Sequence, residues 1–349
     1  MRIIEKVWFE GHTAKWLLVP LLLPLSALFW LISLVRRYSY KIGLAKSKQV
    51  KKPVIVVGNI SVGGNGKTPM VIYLVELTRS LGHTPGVISR GYGGQAPYYP
   101  YLLSEKSTAA QAGDEPILIK QRCRVPVAVG SDRLASAQLL IEQGCDVIIS
   151  DDGLQHYRLS RALELIIVDG KRLFGNGFLL PAGPLREGLW RLLTADLVLF
   201  NGQQPKRKYT EKPALTMNLA ATELCHLQSN KRVSLIDFLA QYARVNAIAG
   251  IGSPARFFAT LQANNFTINS AKGYVDHHAF TLADFQEFDD NIPLLMTEKD
   301  AVKCQSFCKS NWWYLPVDAC FSKAEQKVIR DKINAVISTA MINNELERS

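Results

Sequence analysis

The chain has 349 residues, 48% hydrophobic and 20% charged, proportions that exclude a disordered or fibrous protein and allow one large core or two modest ones. Forty-one Lys and Arg against thirty Asp and Glu leave a net charge of +11, which suits an acidic partner: nucleic acid, anionic lipid or a phosphorylated substrate. The six cysteines show no zinc or disulfide spacing and are expected as reduced thiols.

Between Lys15 and Arg36 lie twenty uncharged residues, WLLVPLLLPLSALFWLISLV, long enough as a helix to cross the ~30 Å hydrocarbon core of a bilayer. A full span, a helix in the membrane interface and a buried core helix all fit this run. A cleaved signal peptide fits poorly, because the run is long for a signal h-region and no clear A-x-A site follows. Pro20 and Pro24 weaken the first half as a helix, and Trp16 and Trp30 suit interfacial anchors. The basic residues Arg36, Arg37, Lys41, Lys46, Lys48, Lys51 and Lys52 follow, so the positive-inside rule keeps this end cytoplasmic, where the same charges can hold anionic head groups.

From Pro53 onward short apolar runs alternate with helical stretches: Val54–Val57, Gly86–Ser89, Val127–Val129, Val147–Ser150, Leu165–Val168 and Leu197–Phe200. That rhythm predicts an α/β fold with a parallel sheet. The polar stretch QQPKRKYTEK at Gln203–Lys212 reads as the start of a hinge, and strands at Val245–Ala249, Leu294–Met296 and Trp313–Leu315 predict a second, smaller α/β unit. The expected partition is an N-terminal apolar helix with basic linker (1–50), a phosphate-loop core (51–205), and a hinge with the smaller unit (206–349).

The first predicted strand runs into Gly58-Asn59-Ile60-Ser61-Val62-Gly63-Gly64-Asn65-Gly66-Lys67-Thr68, then an apolar-periodic helix. Strand, glycine loop, Lys-Thr and helix is the order of a P-loop NTPase-like domain. Gly63, Gly64, Asn65 and Gly66 let backbone N–H groups turn toward phosphate oxygens, Lys67 reaches the β and γ phosphates of ATP, and Thr68 offers its hydroxyl to Mg²⁺. Ser61 stands where the strict G-x4-G-K-[ST] pattern has glycine. Val147–Ser150 delivers Asp151 and Asp152 where a Walker B acid belongs, so one of them is expected on Mg²⁺.

Gln155, His156 and Arg158 come next, the histidine orienting phosphate or capping a turn. Arg90 in SRGYGG leaves another strand end, Asp114 and Glu115 stand in GDEP, and Arg186 and Glu187 close LPAGPLRE. An Asp or an Asp–His pair suits the base that a kinase needs beside its acceptor hydroxyl. Asp276-His277-His278 admits a zinc, a catalytic or a phosphate-contacting reading. Thr297-Glu298-Lys299-Asp300 resembles the guanine-reading [NT]-K-x-D, but its lysine falls third instead of second.

Taken in order, the apolar helix, VGNISVGGNGKTP, SRGYGG, AGDEP, DDGLQHYRL, FGNGFLLPAGPLRE, DHHAF and TEKDAVK resemble the tetraacyldisaccharide 4′-kinase family of the lipid A pathway of Gram-negative bacteria, from the start of the chain to about residue 303. The Ser61 variant is part of that likeness. The resemblance implies a two-lobed kinase, with ATP and Mg²⁺ as cofactors, that phosphorylates the 4′-hydroxyl of an acylated disaccharide phosphate lipid at the cytoplasmic face of the inner membrane. Neither nucleic acid nor a protein partner is expected. The resemblance places Lys67 and Thr68 on nucleotide and Mg²⁺, Asp151 and Asp152 as the Walker B pair with Glu187 added to the metal set, and Asp114 with a histidine of DHH as base, His277 preferred over His278. Glu115, His156 and Arg186 are further implied site residues. The competing readings are a membrane-associated NTPase switch and a soluble small-molecule kinase whose first helix is core.

Overall fold

The computed structural model describes residues 3–346. Fifteen strands are found among them, in chain order β1 (Val54–Gly58), β2 (Pro85–Ser89), β3 (Tyr101–Leu102), β4 (Val127–Val129), β5 (Val147–Asp151), β6 (Leu163–Asp169), β7 (Leu197–Asn201), β8 (Ala214–Ala220), β9 (Glu223–His226), β10 (Arg232–Ser234), β11 (Arg244–Ala249), β12 (Thr267–Gly273), β13 (Leu294–Thr297), β14 (Trp312–Leu315) and β15 (Asp318–Cys320). They form a nine-stranded sheet, β15-β8-β7-β6-β1-β5-β2-β4-β3, and a six-stranded sheet, β10-β9-β14-β13-β11-β12.

The first sheet is parallel from β8 to β4, with β1 at its centre between β5 and β6. Every residue of β1, β2, β5, β6 and β7 is buried, as a parallel sheet covered on both faces requires. Alternation divides each strand between two cores: Ile55 and Val57 join Met70, Leu74 and Ile119 on one face, and Val54 and Val56 join Ile148, Ile166 and Leu140 on the other. The second sheet is likewise filled on both faces, with Ala247 and Leu295 packed on one and Ile248 and Met296 on the other.

The chain path differs from a simple division at residue 206. Gln203–Lys212 joins β7 to β8, neighbours in one sheet, so this polar stretch is a surface connection within the first unit and not a hinge. After the second sheet the chain returns: β15 pairs antiparallel with the end of β8, and the helix Lys323–Leu346 sets Ile329, Ile333 and Ile337, spaced by four, into the first core.

Lys15–Lys41 is one unbroken helix through Pro20 and Pro24, with a mean hydropathy of 2.3 over its most apolar window. Each proline removes one donor, and the helix runs on past both. Ser26 is its only buried residue, while Trp16 and Trp30 are 78% and 51% exposed. It is therefore not a core helix. It touches the body at its middle and near its C-terminal end: Ser26 Oγ donates to Leu179 O (3.0 Å) and accepts from Ala182 N (2.9 Å), Arg37 stacks over Trp190, and the Tyr40 ring meets Tyr157. The preceding short helix Ile3–Phe9 is tied down as well, by Trp8 Nε1 donating to Pro181 O.

Candidate active site

The carboxyl ends of β1, β2 and β5 open onto a cleft of about 1880 Å³, whose opposite wall comes from the second sheet and whose rim carries Trp30, Ser33 and Arg37 of the apolar helix. Clefts at this edge are where ligands of open α/β sheets bind.

The phosphate loop lies between β1 and the helix Lys67–Ser80. Gly66 caps that helix in the left-handed region (φ +93°), and a Cβ there would come within 2.7 Å of Asn201 Nδ2, so only glycine fits. Asn201, at the end of β7, donates to Asn65 O (3.1 Å), and Asn65 Nδ2 donates to the buried Ser61 Oγ (3.1 Å). The serine in place of glycine is thus the acceptor that pins the loop from inside.

Lys67 Nζ lies 3.7 Å from Asp152 Oδ1, and Arg186 Nη1 donates to both Asp152 oxygens at 2.9 and 3.2 Å. Burial opposes ionisation of Asp152, but Lys67 and then Arg186 outweigh it and hold the carboxyl below its ordinary value. Asp151 differs sharply. It is fully buried, neither carboxylate oxygen has a hydrogen-bond partner among the described residues, and burial first, then the Glu115 charge, push it up to about 7.

Facing these groups, Asp114 opens the helix Asp114–Cys123 and is 5% exposed. Its Oδ1 accepts from the Glu115 backbone N–H, and its Oδ2 lies 3.0 Å from His277 Nδ1. The two residues are 163 positions apart and come from different units. Burial would raise the Asp114 carboxyl, but the His277 hydrogen bond and the Lys299 charge bring it below its ordinary value; the same hydrogen bond raises the His277 ring against burial and Lys299. His278 turns the other way, stacked on Tyr274 with Nε2 3.3 Å from Asp284, so of the two histidines His277 is the one beside Asp114. The divergence of these two side chains also removes a shared zinc site at DHH.

With a strand-linked phosphate loop, two adjacent acids at a strand end and an Asp–His pair in one cleft, the comparison with known proteins is decisive. Residues 18–337 match the family described as tetraacyldisaccharide-1-P 4′-kinase. The chain belongs to that family. A protein named tetraacyldisaccharide 4′-kinase from Colwellia psychrerythraea is 69% identical over 343 residues, 98% of this chain and 100% of the relative. Another of that name from Tolumonas auensis is 49% identical over 318 residues, 91% and 93% of the two chains. The crystal structure of LpxK from Aquifex aeolicus in complex with ATP aligns with a TM-score of 0.78 at 31% identity, covering 92% of this chain and 99% of that one.

Within this kinase-family chain several expected site residues stand differently from the expectation. Glu187 was expected among the metal ligands, yet Tyr157 OH donates to its Oε1 (2.9 Å) and Arg191 Nε lies 3.0 Å from its Oε2, so both oxygens are engaged. His156 does not line the cleft; its ring is partly buried near Arg133, Arg161 and Arg36, and burial first, then these charges, push it down to about 4. Arg90, Glu115 and Arg186 do line the cleft. Thr297 caps the helix Glu298–Cys304, its Oγ1 accepting from Asp300 N, while the buried Asp300 accepts from Thr297 Oγ1 (2.6 Å) and Gly250 N (2.9 Å). Thr297 and Asp300 are thus committed to a helix cap and leave no guanine reader. Motif scanning missed Asn201 and the contact of Arg256 Nη1 with the buried Asp169 (2.8 Å), which joins the two units; the placement of Asn201 at a strand's carboxyl end was the available signal.

Proposed function

We propose that this chain transfers the γ-phosphoryl group of ATP to the 4′-hydroxyl of a tetraacyldisaccharide 1-phosphate, giving lipid IVA in lipid A biosynthesis. The observation that carries the reading is the single cleft shared by the phosphate loop, the Asp114–His277 pair and the exposed apolar helix, in a chain with family likeness along its length. Gly63, Gly64, Asn65 and Gly66 cradle the nucleotide phosphates, and Lys67, with Arg186 beside it on Asp152, supplies positive charge where negative charge is transferred. The proton of O4′ passes to the Asp114–His277 pair as the O4′–Pγ bond forms and the Pγ–O bond to the leaving ADP breaks.

The donor set also fits Mg²⁺. A fully buried carboxyl whose two oxygens have no hydrogen-bond partner among the described residues, beside a Lys–Thr phosphate loop, is a hard-oxygen donor set open to a cation. Thr68, Asp151 and Asp152 would hold the ion, which when bound neutralises charge on the phosphates. Glu187 instead holds Tyr157 at the cleft wall and pairs with the buried Arg191 behind it.

The acceptor's acyl chains bring the enzyme to a membrane, because each CH₂ withdrawn from the bilayer costs about 0.8 kcal/mol. The apolar helix is held to the body at Ser26, Arg37 and Tyr40. Ser26 and Tyr40 stand roughly 20 Å apart along a helix axis. A helix held lengthwise supports a position in the interface over a perpendicular span, and the basic run after it supports the cytoplasmic face. The deciving assay follows label from γ-labelled ATP with Mg²⁺ into tetraacyldisaccharide 1-phosphate in mixed micelles. Labelled lipid is the expected result; nucleotide hydrolysis without lipid labelling would move the protein to the NTPase-switch class.

A further inference from the structure

Lys299 belongs to a string whose neighbours are taken up by a helix cap, yet its own side chain points into the cleft. Its Nζ lies 3.2 Å from Glu115 Oε1, 3.2 Å from Asp276 Oδ1, 3.9 Å from Asp114 Oδ2 and 3.4 Å from His277 Nε2, with the side chain 16% exposed. One ammonium therefore touches both members of the Asp–His pair and a carboxylate from each unit. An ammonium has donors and no acceptor. Facing Nε2, it requires a lone pair on that nitrogen, so in the neutral ring the proton sits on Nδ1 and is donated to Asp114 Oδ2, 3.0 Å away.

The surrounding charges make this cation necessary. Asp114 and Glu115 face the ring from the helix Asp114–Cys123, Asp276 from the preceding residue, and Tyr92 contributes only a ring at 5.2 Å. Lys299 is the cation in contact with the ring, while the charge of Lys303, one turn further along the same helix, bears on Asp114. Three carboxylates without Lys299 would favour an imidazolium protonated on both nitrogens, which cannot take the acceptor's proton. The backbone of His277 is left-handed (φ +61°), a conformation that persists in a non-glycine residue only when its surroundings hold it. Lys299 itself rises from a rigid turn, because Thr297 and Asp300 are bonded to each other and Asp300 to Gly250 N.

We infer that Lys299 is a positioning residue of the phosphotransfer: it fixes the neutral His277 ring as the Nδ1–H tautomer donating to Asp114 and opposes protonation of Nε2. This rests on the reading of Asp114–His277 as the proton-accepting pair. The test uses the full chain in detergent micelles, labelled with ¹⁵N-histidine, with long-range ¹H–¹⁵N spectra followed over pH and the His277 signals assigned through His277→Asn. Above its pKa the His277 ring should be the Nδ1–H tautomer. Lys299→Met should mix the tautomers and move the ring titration upward by roughly one pH unit or more, and Lys299→Arg should retain the native pattern. Lys299→Gln carries the same expectation as the methionine variant should the latter not fold. The acid limb of kcat/KM should move upward with the ring titration. An unmoved titration and tautomer in the uncharged variants would overturn the inference. A ring that moves while the acid limb stays would uphold the role of Lys299 on His277 and discard the pair as the base.

Discussion

Ser26 sits in the middle of an otherwise exposed apolar helix, and its hydroxyl is the polar contact through which that helix meets the body at this point. Replacing it with alanine removes the acceptor for Ala182 N–H and one of two donors to Leu179 O, which keeps Gly183 N at 2.9 Å. The loss therefore falls chiefly on the Ala182 amide, in a residue with no solvent exposure to supply a substitute water. A buried donor left unpaired costs about 1–3 kcal/mol, or roughly 5- to 150-fold in the equilibrium between docked and undocked helix. Hydrogen exchange in micelles should show the Ala182 amide exchanging faster in Ser26→Ala by a factor in that range. The KM for the lipid acceptor should rise while the KM for ATP stays, because the lost bond lies on the helix side and not on the phosphate loop. Unchanged protection of Ala182 would refute the reasoning, since it would mean that the helix does not rest on the body when membrane-mimetic surroundings are present.

Lys67→Ala should abolish lipid labelling with native circular dichroism, because the lysine's charge acts on phosphate while the loop is held by Ser61, Asn65 and Asn201; near-native turnover would remove the phosphate-loop assignment. Asp114→Ala should lower kcat by roughly 10²–10⁴-fold with little change in ATP affinity, since a general base acts in the transition state, and a loss confined to affinity would make it a binding residue. His156 predicts a stability change with pH. Its ring is pushed down to about 4 in the folded chain against an ordinary value near 6.5, so the unfolded state binds the proton first as pH falls. Stability should be fully present above pH 6.5 and fall by up to about 3 kcal/mol between pH 6.5 and 4 through this group. Denaturant titrations of His156→Gln should lack that component, and parallel curves for the two proteins would refute it.

The parts of this protein legible in its sequence are those built from neighbours along the chain. A buried strand, a glycine turn and a helix starting at Lys67 occupy one short segment, and Asp151 and Asp152 follow directly from an apolar strand, so hydrophobic period and local backbone chemistry were enough to place them. Six strands escaped, β3, β8, β9, β10, β12 and β15, and their patterns are weak or short: β12 (TINSAKG) alternates between partial and full exposure, and β15 has three residues. Polarity at Gln203–Lys212 recorded contact with water and said nothing about which sheet the next strand would join. The family likeness supplied the partnership of Asp114 with a histidine, but the divergence of His277 from His278 and the reach of Lys299 to Glu115 depend on how the two sheets face each other, while the engagement of Glu187 by Tyr157 and Arg191 and the Ser26 anchor depend on packing around the first sheet. Such contacts join residues as many as 184 positions apart. Their distances follow from the sheet order and the return of the chain through β15, and that packing is decided only when the whole apolar surface is buried at once.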